Sequence, residues 1–233
     1  MAGLAANMIG MIYCDEQDDA EKAFDWALKG AEEGFDAAMS NLGGMYRRGH
    51  GVKKNLDKAI EWYQKAYELH GDDAGFAAYQ LAGIYSDEEN VVKKWKWTKK
   101  SAQEGYDEAM LDMGLRYDEG NASPEDQAKA MEWYQTAYAQ HGTAVGDAAL
   151  LIAMMYDRQE QAEKAFEWYS KGAEEGSEDA IYFLAQSYEY GAGVQANREK
   201  AIEWYQKVVD CHGDEEEEAK EHLQALLKEI EEG

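Results

Sequence analysis

The chain has 233 residues, of which 45 % are apolar and 12 % aromatic, and carries a net charge of −25 at neutral pH. That length allows one or two ordinary domains or one elongated array, with enough apolar material for a large core. The charge argues against nucleic acid or an anionic membrane as partner. No run approaches the roughly 18 apolar residues of a membrane span, and two cysteines, Cys14 and Cys211, make no disulfide framework.

One proline and 22 glycines predict long helices punctuated by glycine turns. The first stretch, MAGLAANMIGMIY, already reads as helix, with no basic-then-apolar export signal. The expected compartment is the cytoplasm; the periplasm or exterior is the alternative if such a signal has been removed.

Downstream the chain repeats itself. Tryptophans fall at Trp26, Trp62, Trp97, Trp133, Trp168 and Trp204, at intervals of 35 or 36 residues. Before each comes an aliphatic–small–x–x–Tyr box, first Ile9–Gly10–Tyr13, then Leu42–Gly43–Tyr46, and so on to Leu184–Ala185–Tyr188. A fixed period of this size means a repeat array. Ala38, Leu42 and Tyr46 lie four apart on one helical stripe, as do Ala59, Tyr63 and Tyr67. Each repeat is therefore a helix A and a helix B. The phrase AIEWYQKAYELHG returns in variant form every 71 residues because the A–B loops alternate in length. Gly71 is expected to stop its helix, and Ser123 before Pro124 to start another. The aromatic and alanine rows are expected to pack repeat on repeat. The tail EEAKEHLQALLKEIEEG keeps the register as a last, acidic-faced helix A, as a solenoid end requires.

The second repeat reads Ala38, Leu42, Gly43, Tyr46, Gly49, Gly51, Val52, Lys58, Ala59, Trp62, Tyr63, Lys65, Ala66, and the sixth follows it closely. This pattern resembles the Sel-1-like repeat family, within the tetratricopeptide-like superfamily. The resemblance implies an all-α fold, an α-solenoid (right-handed superhelix) of six antiparallel helix pairs plus a C-terminal capping helix. It also implies one domain over residues 1–233, with repeats at about 4–34, 35–71, 72–105, 106–142, 143–176 and 177–213 and the cap at 214–233. Family members are adaptors, with A helices lining a concave face.

No catalytic motif appears. His70, His141 and His212 recur two repeats apart, on the order of 20 Å, too far to share a metal ion. Each reads instead as a histidine at a helix's negative end. No enzyme activity, metal or cofactor is expected. In KKWKWTKK, Lys94 stands where the other repeats have alanine and is expected to snorkel outward.

Under the resemblance, the A-helix positions beside the core stripe face the groove. They are Asn7 and Met11, with Cys14; Arg48; Phe76, Tyr79 and Asp87; Glu108, Leu111, Leu115 and Glu119; Asp147, Leu150, Met154 and Arg158; and Asp179, Tyr182, Gln186 and Tyr190. Tyr79, Leu111, Leu115, Leu150, Met154 and Tyr182 are expected to form an apolar floor rimmed by acids that include Asp157 and Glu189. Such a surface suits a partner protein or peptide with basic and apolar residues. A carboxylate-binding cluster is not expected, because Asn7, Arg48 and Arg158 stand in separate repeats. Residues 111–233 carry 10 basic and 28 acidic side chains. That excess motivates an alternative: an acidic immunity- or inhibitor-type protein that neutralises a basic toxin or enzyme.

Overall fold

The computed structural model describes residues 2–15, 19–120 and 122–232. Among them are thirteen helices and no strand. The A helices are α1 (Ala2–Asp15), α3 (Asp36–Arg48), α5 (Ala74–Asp87), α7 (Asp107–Asp118), α9 (Val145–Arg158), α11 (Glu178–Tyr190) and the final α13 (Glu216–Glu232). The B helices are α2 (Ala20–Glu32), α4 (Leu56–Glu68), α6 (Val91–Gln103), α8 (Pro124–Gln140), α10 (Ala162–Glu174) and α12 (Arg198–Cys211). They form two compact units, Met1–Met110 and Leu111–Gly233. Within each, helices pair consecutively as an α-solenoid. No helix among the described residues is long and apolar enough to cross a membrane.

Local chemistry sets the helix ends. The side chains of Asp19, Asn55, Asn90, Ser123 and Asn197 each accept a backbone N–H three residues on and so cap a B helix. Pro124 follows Ser123 at the first helical position. Gly49 and Gly191 end α3 and α11 in the left-handed conformation. Where glycine was expected to stop the B helix, a histidine does so: His70, His141 and His212 have φ of 50°, 51° and 58°. Gly71 and Gly213, which follow, lie close to an A-helix carboxylate of their own repeat. A Cβ on them would collide with the carboxylates of Asp36 and Glu178 on the A helix of the same repeat.

The core follows the repeat columns, with one correction. The alanines Ala59, Ala130, Ala165 and Ala201 are at most 1 % exposed, and the residue after each tryptophan is buried deeper than the tryptophan itself. Tyr63, Tyr134 and Tyr205 lie among the largest fully buried side chains, whereas all six repeat tryptophans are half-buried. The tyrosine sits over the small residue of the A-helix box, so that a Cβ on Gly43 would touch the Tyr63 ring at 3.0 Å. The tryptophan lies farther round the B helix. There Trp97 meets the edge of Tyr67 at 5.3 Å, and Trp168 that of Tyr138 at 4.9 Å.

Candidate functional site

Within each unit the A helices approach one another more closely than the B helices do: α3 meets α1 and α5, and α11 meets α9. Close approach on one side puts the A helices on the inner side of each unit. It also buries positions that flank the core stripe, because those now lie between neighbouring A helices.

Several expected floor residues are buried. Leu111, Leu150 and Tyr182 are 8 %, 7 % and 6 % exposed. The Tyr182 hydroxyl donates to Glu218 at 3.0 Å and accepts from Gln186 at 2.9 Å, and burial beside Glu218 pushes its pKa up to about 12. Asn7 is also buried, its Oδ1 accepting from Asn41 Nδ2 at 2.8 Å. Phe76 and Tyr79 are half-buried against the Tyr106 ring, with centroids at 6.1 and 5.0 Å. Two rim acids have internal work as well: Asp157 accepts from the buried Tyr169 hydroxyl at 2.6 Å, and Glu189 from that of Tyr205 at 2.5 Å. The side chain of Cys14 lies outside the described residues.

What stays at the surface differs between the units. In the first, Met11 and Arg48 are exposed, and exposed Asp87 accepts from Arg47 Nη2 at 2.8 Å, while Glu108 is half-buried. In the second, Leu115, Met154 and Tyr190 are exposed large apolar side chains. Glu119, Asp147 and Asp179 are exposed, Gln186 is half-buried, and exposed Arg158 is bonded to Asp118.

The basic side chains lie mostly elsewhere. Lys22, Lys58, Lys93, Lys129, Lys164 and Lys200, at the start of the six B helices, each stand over the A-box tyrosine of their own repeat at 4.7–5.5 Å. Lys29, Lys65, Lys100, Lys171 and Lys207 lie over the tryptophans at 3.5–4.7 Å. These cation–π pairs hold positive charge on the B helices. Lys94, half-buried, turns over Trp95 at 4.8 Å.

A feature missed in the sequence lies at the junction of α1, α2 and α3. A cleft of about 200 Å³ is lined by Asn7, Gly10, Met11, Ala23, Ala27, Asn41, Met45, Arg48 and His50. Asn7 and Arg48, expected to stand apart, border one cleft. The available signal was the column after each tryptophan, which reads Ala27, Tyr63, Thr98, Tyr134, Tyr169, Tyr205. Among the described residues no group of three or more His, Cys, Asp and Glu side chains is arranged to hold a metal ion.

The Sel1 repeat profile matches residues 3–35, 36–70, 107–141, 146–177 and 178–208, well over half of the chain. Chitin synthase regulatory factor 3 of Schizosaccharomyces pombe is 28 % identical over 196 residues, a match covering 77 % of this chain and 20 % of that protein. The chain thus spans about a fifth of the length of that curated relative. The crystal structure of a Sel1 repeat protein from Oxalobacter formigenes superposes with a TM-score of 0.68 at 30 % identity, covering 88 % of this chain and 84 % of the other. Immunity protein Pa5087 from Pseudomonas aeruginosa shares the fold at a TM-score of 0.55 and 20 % identity, over 96 % of this chain and 81 % of its own. Repeat matches over most of the chain, paired helices and a superposable relative agree: the chain belongs to the Sel1 repeat family.

Proposed function

We propose that the chain is a non-enzymatic scaffold that binds a partner protein through the A-helix face of its second unit. The observation that carries this reading is the exposure of Leu115, Met154 and Tyr190 on A helices that also expose Asp147 and Asp179, with exposed Glu119 just past the end of α7. Apolar anchors supply interface energy and acids around them select a basic partner. The similarity to a regulatory factor of chitin synthase supports a role in holding or regulating another protein, and the compartment we assign is the cytoplasm.

The test is a pull-down from the source organism with wild type and Leu115→Arg/Met154→Arg/Tyr190→Ala. All three side chains are exposed, so the helical circular-dichroism signal should be unchanged. A partner captured by wild type and lost with the triple variant supports the reading; a partner retained by the variant refutes it.

The charge of residues 111–233 keeps a second reading, an acidic inhibitor of a basic toxin or enzyme. Its mark is steep salt dependence. Association slowing by tenfold or more between low and physiological ionic strength favours charge-steered neutralisation. A flat response favours the apolar anchors.

A further inference from the structure

We propose that the cleft between α1, α2 and α3 is a docking pocket for one aromatic side chain of a partner protein. The fold itself shows what fills this space. The corresponding junction between α10 and α11 holds a smaller cleft of about 110 Å³, with Tyr169 in the place of Ala27. There the Tyr169 ring stacks on Phe183 with centroids 5.2 Å apart and planes 21° apart. Between the first and second repeats both rings are missing, because Ala27 and Asn41 occupy those two positions, and the cleft is correspondingly larger at about 200 Å³.

The remaining wall is still built for a ring. Gly10 keeps the small box residue of the A helix, but here the α2 backbone comes close to it, with the Ala23 carbonyl oxygen 3.2 Å and the Ala27 nitrogen 3.5 Å from where a Cβ would stand. Ala23 and Met45 supply apolar sides, as Ala165 does one turn before Tyr169 on α10. At its mouth Asn41 and Arg48 stand where Phe183 and Tyr190 do in the second unit, and Asn7 is hydrogen-bonded to Asn41. An apolar slot with a few oriented polar groups at its entrance is the usual form of a small binding site. The ring would enter the slot and a neighbouring carbonyl or carboxylate of the partner would meet the Asn41 amide and the Arg48 guanidinium. The source of the ring rests on the partner-binding reading above; the pocket itself does not.

N-acetyl-L-tyrosinamide is the probe, titrated into the full chain while side-chain amide resonances are followed by nuclear magnetic resonance. Saturable shifts are expected at Asn7 and Asn41, with a Kd on the order of 1 mM for so small a ligand. N-acetyl-L-leucinamide should bind roughly fivefold more weakly. Ala27→Tyr returns the fold's own ring to the slot, so it should abolish the shifts and raise the unfolding midpoint; if that variant does not fold, Ala27→Leu should weaken binding by partial filling. The proposal is overturned if wild type shows no saturable shift, if leucinamide binds as well, or if neither Ala27 variant changes binding. Probe binding with a failed pull-down would count against the partner reading and leave the pocket standing.

Discussion

Gly193 closes the Gly-x-Gly-Val loop of the sixth repeat with φ of 69°, and a Cβ there would fall into the carbonyl group of Ala162, the first residue of α10. Gly176 has φ of 87° and nothing within 4 Å of such a Cβ. Alanine at Gly176 therefore meets only the left-handed backbone penalty, about 1–2 kcal/mol. Alanine at Gly193 meets that penalty and must also displace a backbone group in the first turn of a helix, which no side-chain rotation can relieve. Overpacking of this kind adds about 1–3 kcal/mol, for a total of roughly 2–5 kcal/mol. Guanidinium unfolding followed by helical circular dichroism measures both variants against wild type. If Gly193→Ala costs no more than Gly176→Ala, the close approach is not what the loop's second glycine serves. Gly51, with φ of 66° and the carbonyl of Ala20 in the same relation, should repeat the result in the first unit.

The tyrosine column offers a matched pair. Tyr169→Phe removes the donor to Asp157 and should cost about 1 kcal/mol, whereas Tyr134, whose buried hydroxyl has no hydrogen-bond partner among the described residues, should tolerate phenylalanine without loss. Equal costs in a denaturation series would refute the distinction. Burial, then neighbouring carboxylates, raise the tyrosines: Tyr106 and Tyr182 are pushed up to about 12, and Tyr134, Tyr169 and Tyr205 higher still. The folded state then binds more protons than the unfolded state above the ordinary tyrosine pKa of about 10. Stability from these groups is full below that pH and is lost as pH rises through about 12 and beyond. Phenolate absorbance should therefore appear in two stages, the later one together with loss of helix; a single transition near 10 with helices intact would contradict the shifts.

The fold was legible because its determinants are local and recur. Caps such as Ser123, the box glycines and the alternating loops all act over a few residues, and six copies average out any one exception. The site was less legible because exposure on an A helix is decided by the next A helix. Leu150 and Met154 are one turn apart, yet Leu150 is 7 % exposed and Met154 38 %. Helical spacing places both beside the stripe; only the approach of α11 to α9 separates them. Two of the rim acids hold a second partner for a related reason. Asp157 and Glu189 look like surface charge in the sequence, but each follows an A-box tyrosine and so reaches the hydroxyl of the buried tyrosine on helix B.

Departures from the columns carry more information than the columns do. The third repeat, the one outside the profile matches, departs twice on one helix face: Lys94 stands for alanine and Thr98, four residues on, for tyrosine. A long side chain is added where a small one is usual and a ring is removed one turn away, leaving Thr98 fully buried with its hydroxyl donating to the Lys94 carbonyl at 3.1 Å. The first repeat makes the second change alone. Ala27 loses the ring while Ala23 stays small, and the space remains open at the α1–α3 junction. Packed interiors leave few voids larger than a water molecule, and filling this one required only the tyrosine that four other repeats already use. A variant restoring that tyrosine should therefore raise stability as it closes the cleft, and the size of that gain measures what the open cleft costs the fold.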